Sequence, residues 1–209
     1  MSTATSTANT ATTATAKGRP RGFDRDQALE AALMEFWRHG YEATSISTLT
    51  KAMGINPPSL YAAFGDKRKL FSAAVQRYAE THGDYGTRAL GQPTARGVVE
   101  TMLRLAATEY TAADHPPGCL VIDAATNTSD ASQDVAEELR GYREDTKQAI
   151  ADRITADVAA GALPPTTDAP ALATFYAAVI QGMSTQARDG ASEADLQRVA
   201  DVALAAWPA

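Results

Sequence analysis

Apolar side chains recur three and four positions apart along nearly the whole chain from Asp24 onward, the spacing that lines one face of an α-helix. Strict apolar/polar alternation, the mark of a half-buried strand, appears over no useful length. The first periodic run carries Ala28, Leu29, Ala32, Leu33, Phe36 and Trp37, with Asp24 and Asp26 as caps and Gly40 at its end. Ser45 or Ser47 opens a short second helix bearing Leu49, Ala52 and Met53, which Gly54 stops. Asn56 caps a third, brief helix over about 57–64, with Pro57 at its first position, where a missing N–H is harmless, and Gly65 closing it. Asp66 then caps a fourth helix through Leu70, Phe71, Ala74, Val75 and Tyr78.

A Gly-rich joint spans residues 83–91, and the helical pattern resumes beyond it. Helices are predicted over roughly 94–113, 119–125, 132–160, 168–188 and 192–206. Gly161 with Pro164 and Pro165 stops the long one, and Ser192 with Asp195 resembles a capping box with Asp in place of Glu. No internal repeat is visible. The chain therefore reads as all-α, with about nine helices.

Composition sets the boundaries. At 209 residues and 44% apolar, the chain has length for a sizeable core without covalent staples. A single cysteine, Cys119, excludes an intramolecular disulfide. No stretch approaches the roughly 18 consecutive apolar residues of a membrane span, and residues 1–16 lack the basic and apolar regions of a secretory signal. A reducing cytoplasm is the simplest compartment. Residues 1–16 form an uncharged Ser/Thr/Ala tract with no large apolar side chain, so they are expected to be a disordered tail.

Charge adds a division of labour. From Lys17 to Arg77 ten Lys/Arg stand against six Asp/Glu, so this third is basic, whereas the rest of the chain carries nineteen acidic and nine basic residues. Only the basic end is suited to a polyanion, because phosphates would repel the remainder. The segment KGRPRGF, with three cations among Gly and Pro, reads as a flexible basic arm in front of the first helix.

The informative stretch is residues 44–71. Two short helices meet at a turn containing Gly54, with Leu49, Ala52, Ile55 and Leu60 placed to share a core. Ala52 is small where the helices cross, and Gly54 permits the positive φ of a tight turn. This is a helix-turn-helix arrangement, flanked by a basic arm, a supporting helix, the exposed-looking Ser59 and Tyr61, and a Lys cluster.

Residues 17–71 resemble the amino-terminal DNA-binding domain of TetR-family transcriptional regulators. Gly-Tyr-x-x-Thr-Ser from Gly40, Ala-Met-Gly-Ile from Ala52 and Leu-Tyr-x-x-Phe-Gly-Asp-Lys from Leu60 fall in order at the family's spacing. Further on, GCLV at 118–121 and QGMSTQARDGAS at 181–192 are similar to one branch of it, so the likeness extends over about 190 residues. After the tail over 1–16, the resemblance implies a DNA-binding domain over 17–70 and an effector-binding and dimerisation domain over 71–209. It implies a homodimeric, ligand-responsive repressor on a palindromic double-stranded operator. The other readings are an activator, a constitutive DNA-binding protein without an effector, or a helical interaction module that does not bind DNA.

On the same basis the third helix enters the major groove and offers Asn56, Ser59 and Tyr61. Lys67 meets a phosphate at the start of the fourth helix, Thr44 and Ser45 grip the backbone, and Arg19 and Arg21 reach a minor groove. Pro57, Pro58, Ala62 and Ala63 depart from the polar residues common in relatives, which shifts readout towards methyl contacts, Asn56 and DNA shape. The effector pocket implied by the family lies among the helices after Asp66, with Met102, Leu105, Tyr110, Cys119, Phe175, Tyr176, Ile180 and Met183 as its candidate lining. The last two helices would pair with their copies through Ala177, Leu196, Val199, Val202 and Leu204.

Cys119 admits two readings. It follows His-Pro-Pro-Gly near a predicted helix N-terminus, where the dipole lowers a thiol pKa, and relatives with a similar segment sense electrophiles or oxidants. Alternatively it is a small buried thiol beside Leu120, Val121 and Ile122. His39, His82 and His115 lie far apart and match no metal-ligand spacing, so no metal is expected. The run GDYGTRALG lacks both a preceding strand and the Lys of a phosphate loop, and no nucleophile elbow is present. Neither a cofactor nor an enzymatic reaction is implied.

Overall fold

The computed structural model describes residues 22–208. The tail over 1–16 and the arm residues Lys17, Arg19 and Arg21 lie outside them. Among the described residues the chain forms ten α-helices and one short 3-10 turn, with no strand.

The first four helices follow their local signals. In α1 (Arg25–Ala43) the Asp24 carboxylate accepts from the N–H groups of Asp26 and Gln27, and all six periodic apolar residues are buried. The helix does not end at Gly40: that residue breaks it with φ 76° and ψ 173°, and one further turn runs to Ala43. Ser45 caps α2 (Ile46–Met53) and Gly54 terminates it in the left-handed conformation. Asn56 caps α3 (Pro57–Phe64), and Asp66 caps α4 (Lys67–Thr81). Leu49 and Leu60 are fully buried between α1, α2 and α3 and Ile55 is partly buried against them, whereas Ala52, expected at the helix crossing, is exposed. Each such leucine contributes about 1.5–3 kcal/mol relative to an exposed one, enough to fix the turn between two helices of only eight residues.

Helix α5 (Tyr85–Leu90) falls inside the predicted Gly-rich joint. Tyr85 and Ala89, four apart, are both buried, and packing on α6 (Ala95–Glu109) outweighs the low propensity of the glycines. Helix α6 stops at Glu109, short of the predicted 113, and α7 shrinks to one turn, Leu120–Asp123. After the 3-10 turn Asp130–Ser132 come the long α8 (Gln133–Ala159), α9 (Ala169–Arg188) and α10 (Glu193–Ala205). The Ser192/Asp195 capping box is formed.

Helices α1–α3 make a small head, and α4 packs along α1 and leads into the rest. There, α6 lies between α5 and α10, and α9 packs on α8. Helix α7 touches α1, α4, α8 and α9 at once. It is tied to the head by the Tyr41 N–H, which donates to the Ala124 carbonyl at 3.0 Å. Arg68 of α4 reaches Asp134 and Glu138 of α8, and Ser129 donates to Glu42 of α1 through its N–H at 2.9 Å.

Candidate nucleic-acid interface and internal cavity

The head presents α3 to solvent. Asn56, Pro57 and Pro58 are exposed, Ser59 is half-buried and Tyr61 is 49% exposed. The Asn56 side-chain oxygen Oδ1 accepts from the Ser59 N–H at 2.9 Å, which leaves the side-chain NH2 free of that cap. Ser45 is exposed at the start of α2, with its hydroxyl shared between the Thr48 N–H and the Thr48 side chain. Thr44 is fully buried, and its hydroxyl donates to the Gly40 carbonyl at 2.6 Å. Its hydroxyl therefore secures the end of α1, and gripping a DNA backbone would fall to other groups at this corner.

Lys67 begins α4 with its ammonium 4.2 Å above the Tyr41 ring. Partial burial lowers its pKa, and the Glu42 carboxylate acts in the other direction. Beside α3, a surface hollow of about 400 Å³ is lined by Phe23, Gly54, Asn56, Ser59, Ala62 and Ala63. The alanines leave room there for another molecule's backbone. Lys51, exposed in the last turn of α2, is a cation that the motif-based assignment passed over. Arg19 and Arg21 fall outside the described residues.

A second space, about 240 Å³, opens behind the head among α4, α5, α6, α7, α8 and α9. Met102, Cys119 and Ile180 are on its wall; Leu105, Tyr110, Phe175, Tyr176 and Met183 are not. Phe175 is 42% exposed on the outer face of α9. Tyr176 is core between α9 and α10, donating to the Ala203 carbonyl at 3.0 Å. Tyr110 stands one layer back, 2.6 Å from the hydroxyl of Tyr85, which does line the space. The rest of the wall includes Tyr78, Val121, Tyr142, Arg143 and Ile150. In α8, residues 142, 143, 146 and 150 recur at helical spacing, a usable signal obscured by the many charges around them.

The buried end of this cavity is a cluster of hydroxyls around a thiol. Tyr78 donates to Cys119 Sγ at 3.2 Å. Burial pushes Tyr78, Tyr85 and Tyr110 well above the ordinary phenol range, so all three are neutral hydrogen-bonding groups. Burial also raises the Cys119 thiol, opposite in direction to the helix-dipole expectation, since α7 is a single turn. The Cys119 N–H donates to Ser184 at 2.8 Å and Asp123 at 3.2 Å. Arg143 donates to the Val121 carbonyl at 2.6 Å, so its guanidinium braces α7 from the cavity side.

Comparison with known proteins gives this geometry its context. Residues 28–74 match the tetR family of bacterial regulatory proteins, and residues 98–203 match the tetracyclin repressor-like C-terminal domain. The HTH-type transcriptional repressor ComR of Escherichia coli (strain K12) is 36% identical over 194 residues, 92% of each chain. The chain belongs to the TetR family. A second E. coli repressor, BdcR, is 33% identical over 84% of each chain. Among solved structures, a cysteine mutant of the TetR family regulator CifR, complexed with a 26-bp double-strand operator DNA, superposes with a TM-score of 0.87. It is 43% identical, with 91% of this chain and all of that one covered. As a TetR-family chain, the protein is a DNA-binding regulator in class, and no helix among the described residues is long and apolar enough to cross a membrane.

The face expected to pair with a second copy is divided. Leu196 and Leu204 are buried in the subunit's own core, and Ala177 lines the cavity. Val199 and Val202 remain exposed, at 38% and 75%, as does Phe175 of α9.

Proposed function

We propose that this protein is a ligand-responsive transcriptional repressor, a cytoplasmic homodimer that binds a palindromic operator. The observation that carries this reading is the exposed, capped α3 on a head joined by α4 and α7 to an internal cavity. Residues 17–70 would meet the DNA and 71–209 the effector and the second subunit. On the head, Asn56, Ser59 and Tyr61 would face the groove, Ser45 and Lys67 the phosphates, and Arg19 and Arg21 a minor groove. Thr44 would act by holding the corner that presents Ser45. Two heads can engage one operator only if their recognition helices stand about 34–36 Å apart or at an allowed multiple.

The cavity supplies the signal. An effector bound there touches Val121 and Ile122 of α7 and Tyr78 of α4. Through the Ala124 carbonyl and the Tyr41 N–H, displacement of α7 reaches α1 directly. The effector shifts the dimer towards a form with mismatched heads by no more than its affinity difference between the two forms. Met102, Cys119 and Ile180 line that site in this reading, with Tyr110 supporting Tyr85. The exposed face of α9 and α10, with Phe175, Val199 and Val202, would be covered by the second subunit.

The test is selection of bound fragments from a random duplex library, followed by salt titration of the enriched site. An inverted repeat should be enriched. Lys67→Ala should weaken binding to all sequences alike and flatten the log–log salt slope by about one. A wild-type protein that binds no duplex at low salt would overturn the reading.

A further inference from the structure

The fold brings together three side chains that the sequence holds far apart. His82 is the C-cap of α4, Glu109 is the last residue of α6, and His115 lies in the loop that leads to α7. The His115 ring lies flat against the Trp37 indole, with centroids 4.4 Å apart, and its side chain is 2% exposed. Its Nδ1 is 3.0 Å from the Pro116 carbonyl oxygen. A carbonyl only accepts, so this contact places the ring proton on Nδ1 and leaves the Nε2 lone pair bare in the neutral ring. That Nε2 is buried without a hydrogen-bond partner and faces Glu109 Oε1 at 3.5 Å. The same carboxylate oxygen is 3.7 Å from His82 Nδ1. All three ligand atoms lie within 4.8 Å of one another.

A bare lone pair opposite a carboxylate oxygen is an unfavourable pairing that a shared cation resolves. Two nitrogen or oxygen ligands about 2.0–2.2 Å from a tetrahedral zinc ion stand roughly 3.3–3.6 Å apart, close to the 3.5 and 3.7 Å that separate the two histidine nitrogens from Glu109 Oε1. The His/His/Glu donor set suits a borderline divalent ion and leaves a fourth position for water, whereas calcium and magnesium prefer oxygen ligands throughout. On the far side of His82, Nε2 faces Glu30 Oε1 at 3.6 Å, the position of the outer carboxylate that orients a metal-bound imidazole. We propose that His82, Glu109 and His115 form a binding site for a divalent transition-metal ion such as zinc(II). The ion pins the end of α4 to the end of α6, next to Trp37 of the head. It also fixes the loop between Tyr110 and Gly118, where the Gly118 N–H donates to the Tyr110 carbonyl at 3.0 Å. Metal occupancy would therefore reach both the head and the wall of the cavity.

The test uses the full-length, metal-free protein without DNA, so its outcome is separate from that of the operator experiment. Cobalt(II) is titrated while its visible ligand-field bands are followed, and zinc(II) is then titrated in competition with a chromogenic chelator. One ion per chain is expected, with zinc abolishing the cobalt bands. His82→Asn and Glu109→Gln alter partly exposed side chains, and their folding is verified by circular dichroism in the absence of metal. Each should weaken zinc binding by at least about tenfold. His39→Gln, a surface histidine paired with Glu35, should change nothing. Absence of cobalt bands and of zinc competition at micromolar protein would overturn the proposal. So would equal affinity in the wild type and both variants, or a loss confined to His39→Gln.

Discussion

Gly40 is where the head's longest helix breaks and where α7 leans against it, so Gly40→Ala perturbs both. At φ 76° and ψ 173° the backbone lies in a region open essentially to glycine alone, at a cost of about 1–3 kcal/mol for any other residue. A Cβ there would stand 3.2 Å from the Ala124 carbonyl oxygen, the acceptor for the Tyr41 N–H. The end of α7 must then retreat by a few tenths of an ångström, lengthening a 3.0 Å hydrogen bond. Alanine also restricts the unfolded chain, which returns about 0.4–1 kcal/mol. The net loss is about 1–2 kcal/mol, or a fall in Tm of roughly 2–8 °C for a chain of this size. Gly141→Ala is the counterpart. It sits inside α8 with nothing within 4 Å of the new Cβ, and should gain about 0.5–1 kcal/mol. Scanning calorimetry at matched protein concentration, necessary if subunits associate, reads both. A Gly40→Ala protein within about 0.5 kcal/mol of wild type would refute the argument from backbone strain, as would Gly141→Ala falling by a similar amount.

Glu42 gives a prediction about pH. Hydrogen bonds from Ser132 and from the Ser129 N–H and hydroxyl hold its carboxyl at about 2, below the ordinary 4.5. A depressed folded-state pKa means that the unfolded chain takes up the proton first, so this stabilisation is present above about 4.5 and is lost as pH falls towards about 2. Glu42→Gln should flatten the pH dependence of Tm within that window and leave it unchanged near neutrality. A second prediction concerns the outer face of α9 and α10. Val202→Asp places a charge at a position 75% exposed in the single chain and duplicated in the proposed two-fold interface, and should weaken self-association at least about tenfold by sedimentation velocity. An unchanged association constant would move the interface elsewhere.

The head was legible because its determinants are local. Asp24, Ser45, Asn56 and Asp66 each bond to N–H groups two or three residues away, and Gly54 and Gly65 adopt positive φ for reasons confined to their own turns. The α3 residues proposed to face DNA follow from those caps, because fixing both ends of an eight-residue helix fixes its exposed side. Thr44 escaped this logic: a hydroxyl at a helix end can face outward or fold back, and contact with the Gly40 and Glu35 carbonyls decides which.

Elsewhere the periodicity located helices without saying what each face would meet. An apolar stripe looks the same whether it meets the core, a cavity or a second subunit, so Tyr176 and Leu196 could not be told from Ile180 or Val202. Helix α5 was hidden because glycines lower local propensity while its support comes from α6. For Cys119 the sequence left a dipole-activated thiol and a buried one both open, and burial among three tyrosines sets the direction of its pKa. The histidines show the limit most directly. Sequence separation argued against a shared ion, and only the packing of α4, α6 and the His115 loop around Trp37 brings His82 and His115 to one carboxylate. Helix formation depends on neighbours within a turn or two, which the chain specifies by itself. Burial, cavities and ligand sets depend on which distant residues arrive at the same place, and only the tertiary structure decides that.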